Sequence, residues 1–234
     1  MLLSSKGIVL QSIKYGDSSL ISKVFSEEKG LISIISNRSK SKKNRTVNYL
    51  QPLSPIHFVC YLSNKSNIHR LKEISFDKES VFGNENVAVS AIRFFLAEFL
   101  CVVVKEEEQN QSLFSFLHKK VLDLSCCSQT ALSDFHICFL IDFLDLLGIY
   151  PNLNIEHSFL DLQEGITTSN KPQHVNYYKK EDFSLLLNYT EQRANLNKTQ
   201  KKALLALLMD YYILQLGGEM KAMKSREVLE VVFN

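Results

Sequence analysis

The chain has 234 residues, 45% of them hydrophobic and 22% charged, and a formal net charge of +2. Those proportions exclude a disordered, collagen-like or coiled-coil chain. The length suffices for one large or two modest domains without a metal or disulfide staple. The charge is unevenly spread: residues 1–80 hold 13 Lys or Arg against 6 Asp or Glu, and residues 81–234 hold 14 against 19. A basic front and an acidic back predict two units with different partners.

The first 80 residues read as short strands. Lys6–Lys14, Ser19–Ser26 and Leu31–Ile35 are apolar, β-branched runs. They are separated by Tyr15-Gly16-Asp17 and Glu27-Glu28-Lys29-Gly30, which are turn chemistry, with Gly30 suited to a positive φ. A polar stretch follows, Ser36–Asn48. Ile56–Leu62 and Ile68–Phe76 then flank Ser63-Asn64-Lys65-Ser66 as a hairpin. Five short strands in this span fit a small barrel, for which the OB-fold is the common solution.

Near residue 80 the period changes to that of helices. Asn84–Val104 and Leu113–Leu124 follow it, and Ser133 stands as the N-cap of a third helix running to Leu147. Gly148 and Pro151 end that helix, whose polar stripe is Asp134, Cys138, Asp142 and Asp145. Residues 152–180 read as an irregular insert, with Phe159–Leu162 and Ile166–Thr168 able to pair. Lys180–Gln192 and Lys198–Leu216 are helical. The second is capped by Asn197, apolar nearly all round, and so fit for the centre of a bundle. Ser225–Val232 adds a last short helix. The expected architecture is therefore α+β, with a five-stranded OB-fold barrel over residues 1–80 and an α-helical domain over 81–234.

Enzyme signatures are missing. The chain contains neither a Gly-rich phosphate loop nor Gly-x-Ser-x-Gly nor His-Glu-x-x-His. Its five cysteines, Cys60, Cys101, Cys126, Cys127 and Cys138, include no Cys-x-x-Cys. His136 falls on an apolar helix face and reads as a core histidine. Asp142 and Asp145 read as a solvated face. No catalytic residue, metal or cofactor is expected. The odd cysteine count fits a reducing cytoplasm. With no signal peptide at Met1–Lys6 and Glu98 interrupting the apolar run Phe94–Val104, no membrane association is expected.

One constellation remains. Arg38-Ser39-Lys40-Ser41-Lys42-Lys43-Asn44-Arg45 puts five cations in eight residues without an acid. It falls between the third strand and the rest of the barrel, where Arg38, Lys40, Lys42, Lys43 and Arg45 could line a phosphate backbone. Lys6, Lys14, Arg70 and Lys72 lie on strands of the same barrel. Tyr15, Tyr49, Phe58 and Tyr61 are candidates for base stacking, with Phe58 better suited to the core. A solvated loop that touches nothing stands as the other reading of the run.

These residues also carry a resemblance. Lys6-Gly7-Ile8-Val9-Leu10, Tyr15-Gly16-Asp17-Ser18-Ser19-Leu20-Ile21 and Phe25-Ser26-Glu27-Glu28-Lys29-Gly30-Leu31 resemble the opening of the bacterial RecO recombination mediators. The basic run and Leu50-Gln51-Pro52-Leu53 continue it in order. Tyr211-Tyr212, Leu216-Gly217-Gly218 and Met223-Lys224-Ser225 resemble its far end. The resemblance implies an OB-fold and a helical domain. It implies binding of single- and double-stranded DNA, annealing of complementary strands, and displacement of single-stranded-DNA-binding protein so that RecA can load, usually with RecR. It places the protein in the bacterial cytoplasm, at the nucleoid.

It further implies that the helical domain docks the acidic tail of single-stranded-DNA-binding protein, for which Lys198, Lys201 and Lys202 are the candidates here. Many members carry a four-cysteine zinc module where this chain has residues 152–180. That segment holds no cysteine, so it must be held by packing, with Phe159, Leu160, Leu162 and Ile166 as candidates. Two other readings are a protein-interaction adaptor, in which the basic run is solvated, and a nuclease, which would need clustered acids near the barrel that the front half does not supply.

Overall fold

The strand β1 runs from Leu2 to Tyr15 and bends at a bulge between Val9 and Gln11. It pairs antiparallel with β2 (Ser19–Ser26), which pairs with β3 (Gly30–Asn37). The computed structural model describes residues 1–37, 46–64, 66–78, 86–105, 108–192, 195–217, 220 and 222–233. A short helix α1 (Thr46–Tyr49) precedes β4 (Pro55–Tyr61) and β5 (Ile68–Phe76). Parallel pairing of β3 with β5 and antiparallel pairing of β4 with β1 close the sheet in the order β1-β2-β3-β5-β4. This is the five-stranded closed barrel of an OB-fold, and it leaves no free edge.

Alternation decides what the barrel encloses. Val9, Val24, Ile32, Ile34, Ile56, Phe58 and Cys60 point inward and are buried, with Leu50 joining them from the segment after α1. Gly7 lets this core close: a Cβ there would meet Val24 Cγ1 at 2.6 Å and Phe58 Cε1 at 2.9 Å. Gly30 starts β3 at φ +64°, as its turn requires. Leu53 adopts φ +54° despite its side chain and is held there by its N–H donating to Val9 O at 2.7 Å.

Two helices belong to the same compact unit, Met1–Ser128. In α2 (Val87–Val103) the Asn86 side chain accepts from Val89 N. In α3 (Gln111–Cys126) Asn110 accepts from Leu113 N. Helix α2 packs on β1. Phe114 of α3 stacks on Phe25, which faces out of the barrel and is nonetheless fully buried. At the far end of β5, the Asp77 carboxylate lies 2.8 Å from His118 Nε2 and 3.4 Å from Lys6 Nζ.

The second compact unit is Gln129–Asn234. It opens with α4 (Gln129–Leu132) and α5 (Phe135–Leu146). Ser133 is not the cap of α5. The N-cap is Asp134, without a side-chain capping bond, and the Ser133 hydroxyl donates to Thr130 O and to Asp134 Oδ1. The preceding turn of α4 claims Ser133 before α5 begins.

Residues 152–180 are more regular than their composition suggests. They form a sheet of β6 (Phe159–Asp161), β7 (Ile166–Thr168) and β8 (Tyr177–Lys179) in the order β7-β6-β8. Leu160 and Leu162 are buried and Phe159 packs edge-on against Tyr177, as expected, but Ile166 is 46% exposed and takes no part in that packing. Polar ties add to it. Asp161 Oδ1 accepts from Gln163 N and Glu164 N, and its Oδ2 lies 3.1 Å from His174 Nε2.

Next comes α6 (Lys180–Gln192). It is followed by α7 (Lys198–Leu216), whose start has a full capping box between Asn197 and Gln200. Leu204, Leu205, Leu207, Leu208, Met209, Tyr211 and Tyr212 bury most of the circumference of α7. Tyr212 donates to Leu140 O of α5 at 2.6 Å, and Tyr178 of β8 donates to Asp210 at 2.7 Å, so α7 is the unit's axis. The last element is α8 (Ser225–Phe233). Among the described residues no helix is long and apolar enough to cross a membrane.

Candidate nucleic-acid interface and a cation-rimmed cavity

The sequence places its candidate cations in two regions, and each unit treats them differently. In the first unit, Arg38, Lys40, Lys42, Lys43 and Arg45 lie outside the described residues. Lys14 is exposed at the β1–β2 hairpin, next to Tyr15, which is 57% exposed. Lys6 is bound to the buried Asp77. Arg70 and Lys72 are exposed on β5, and Lys72 Nζ stands 3.2 Å from Glu73 Oε1.

Register shows what surrounds Arg70. Successive cross-strand partners Ile13, Ile21, Ile35, Arg70, Tyr61 and Leu2 form one row around the barrel. Ile13, Tyr61 and Leu2 are about half exposed. Arg70 therefore sits between an aliphatic side chain and an aromatic ring. Phe58 is fully buried in the core. Tyr49 is half-buried and packs on Phe76 at 4.5 Å between ring centroids. Beside it, a groove of about 450 Å³ opens on the outer face of β4 and β5, lined by Tyr49, His57, Val59, Lys72, Glu73 and Ser75 among others.

In the second unit, Lys198, Lys201 and Lys202 come together at the first turns of α7, on the rim of a cavity of about 300 Å³. Its floor is apolar: Leu205 from α7, and Leu229, Val232 and Phe233 from α8. Lys201 pairs with Asp134 and donates to the Ser133 hydroxyl at 3.0 Å. His136 lines the cavity with its ring 5.4 Å from that of Phe233. Burial, opposed by Asp134 and assisted by Lys201, pulls its pKa down to about 4, so the ring is neutral near pH 7. The cavity's positive charge is thus carried by lysines alone. With Lys201 held by Asp134, a cationic rim over an apolar floor has the chemistry to accept a carboxylate attached to an apolar group.

Sequence reasoning missed the cavity floor and the residues around Arg70. The spacing Leu229, Val232, Phe233 on α8 is a helical apolar stripe and was a readable signal. The row around Arg70 was not readable, because it depends on cross-strand register. Among the described residues no cluster of three or more His, Cys, Asp or Glu could hold a metal ion.

Comparison with known proteins agrees with this architecture along its length. The family model for the N-terminal part of recombination protein O matches residues 1–78, and the one for its C-terminal part matches residues 85–224. The protein is similar to the DNA repair protein RecO of Bacteroides fragilis, at 33% identity over 244 residues with both chains covered completely. It is equally similar to that of Flavobacterium psychrophilum, at 33%, and 32% identical to that of Phocaeicola vulgatus, again over the whole of each chain. The family models span most of the chain and these relatives match it end to end: the chain belongs to the RecO family.

Proposed function

We propose that the protein is a DNA-binding recombination mediator of DNA repair that works without catalysis or a cofactor. In this reading residues 1–80 bind single- and double-stranded DNA, and complementary strands anneal on the bound protein. The helical part, within residues 81–234, takes the acidic tail of single-stranded-DNA-binding protein at Lys198, Lys201 and Lys202. Displacing that protein then lets RecA load, with RecR as partner, on the nucleoid in the cytoplasm. The observation that carries the reading is the coincidence of exposed cations and exposed aromatic rings on one closed barrel. Arg70 stands beside Tyr61, in a chain whose acid-free cationic run leads from β3 of that barrel into α1. Neutralising phosphates with cations and stacking bases on rings needs no acid–base pair and no metal.

The test is anisotropy of labelled single-stranded DNA across a salt series. The native chain is compared with one in which Arg38, Lys40, Lys42, Lys43 and Arg45 are all alanine. Each lost phosphate contact flattens the log–log slope by about 0.7, so the five together flatten it by roughly 3 to 4. An unchanged slope means the run is solvated. Absence of DNA binding by the native chain favours a protein-interaction adaptor instead.

A further inference from the structure

We infer that the outer face of β4 and β5 is a base-stacking track for an extended single strand, with Tyr61 and the groove beside Tyr49 as two base sites and Arg70 and Lys72 as the phosphate contacts between them. The inference rests on the DNA-binding reading above and adds to it the face used and the physical origin of a preference for single strands.

Three observations carry it. First, the outward positions of β4 are His57, Val59 and Tyr61, and Tyr61 is 49% exposed at the end of the strand. Such positions recur about every 6.8 Å along a strand. That is roughly twice the ~3.4 Å rise between stacked bases of one duplex strand. Tyr61 and the groove at His57 lie four residues apart on that face, about 14 Å, so they take bases pulled apart, not bases still stacked on each other.

Second, the ring of Tyr49 is already fixed against Phe76, at 4.5 Å between centroids. A base entering the adjoining groove meets preorganised walls, and little side-chain entropy is lost on binding. Third, cations outnumber acids along the face. Arg70 is the cross-strand neighbour of Tyr61, Lys72 lines the groove, and the one carboxylate among the described residues there, Glu73 opposite Val59, is already paired with Lys72. Thr46, which directly follows Arg45 in the chain, lines it too. A planar guanidinium beside an aromatic ring serves both phosphate and base.

The experiment uses the full chain with two fluorescein-labelled probes of equal length, oligo-dT and a duplex. Tyr61→Ala is expected to weaken oligo-dT binding roughly 5- to 100-fold, the loss of one stacked base. The salt slope and the duplex affinity should stay unchanged, and Tyr61→Phe should recover most of the loss. The chain has no tryptophan, so Tyr61→Trp installs a unique reporter. Its fluorescence should be quenched by oligo-dT and not by an oligomer of abasic sites. Equal losses on both probes, no loss on oligo-dT, or an unquenched tryptophan overturns the stacking track while native DNA binding stands. If the native chain binds neither probe, the DNA-binding reading itself falls.

Discussion

The two compact units put the same kind of charge on opposite backgrounds. On the barrel, Arg70 and Lys72 stand on a convex sheet with Tyr61, Leu2 and Ile13 half exposed around it. In the second unit, Lys198, Lys201 and Lys202 surround a concavity floored by Leu205, Leu229 and Phe233. A cation alone says only that the ligand is anionic. The surface behind it selects the ligand: flat rings on an open face suit a string of bases with phosphates between them, and an enclosed apolar floor suits a single carboxylate on an apolar end. The two surfaces also rest on different supports. The barrel face is held by a closed hydrogen-bonded sheet around a core, the cavity by helices packed on α7.

The largest effect that would separate the two is a cavity in the barrel core. Phe58 is fully buried, and its ring fills the space that a Cβ at Gly7 would need. Phe58→Ala should cost about 3–5 kcal/mol. In urea denaturation the unfolding of the first unit should move to lower denaturant and single-strand binding should be lost with it. Binding of an acidic tail peptide should persist in the same solution. Loss of both activities together would show that the two surfaces do not stand independently.

Next in size is an acid response of the second unit. His136 is neutral in the folded protein, its pKa held at about 4 by burial, against an ordinary value of 6.5. Between those values the unfolded chain binds the proton and the folded one does not, so stability is full above about pH 6.5 and falls as the pH drops toward 4. The total loss is on the order of 3 kcal/mol. Thermal melts at stepped pH should show this decline in the native chain and lose most of it in His136→Phe. A smaller cost, about 1–3 kcal/mol, is expected from Asp161→Ala, which strips the acceptor from Gln163 N, Glu164 N and His174. Hydrogen exchange should then rise in β6, β7 and β8 and remain unchanged in the barrel.

Much of this architecture was legible in the sequence, for physical reasons that also explain the failures. Alternation gave the barrel strands because half of each strand faces a core. The bounds of α6 and the cap of α7 at Asn197 followed from composition and from the oxygen a cap needs. Strand β8 was missed because Tyr177-Tyr178-Lys179 follows no turn that would pair it with a neighbour in sequence, as Gln163-Glu164-Gly165 pairs β6 with β7. Ser133 looked like a cap because its chemistry is right, but the adjacent turn uses its hydroxyl. The zinc-free segment was expected to be held by apolar packing, and Leu160, Leu162 and Phe159 do pack, but Ile166 is exposed and the polar ties of Asp161 were not foreseen. The candidate sites divide the same way. Side chains clustered along one helix, such as Lys198, Lys201 and Lys202, can be read from spacing. Side chains brought together across strands, such as Arg70 with Tyr61, cannot be read until the register is known.

The smallest predicted change is the one that isolates charge from structure. Lys72 and Glu73 form an ion pair at 3.2 Å with side chains 40% and 66% exposed. In water such a pair contributes about 0–1 kcal/mol, because solvent screens it and both side chains give up freedom to form it. Lys72→Gln should therefore leave the melting temperature nearly unchanged. It should nonetheless flatten the salt slope of single-strand binding by about 0.7, the signature of one lost phosphate contact, and leave binding of an acidic tail peptide untouched. A slope change without a stability change assigns Lys72 to the ligand. If instead the slope holds and acidic-peptide binding weakens, the positive charge of the barrel is serving the other surface, and the contrast between an open track and an enclosed receptor fails at the residue where it is easiest to measure.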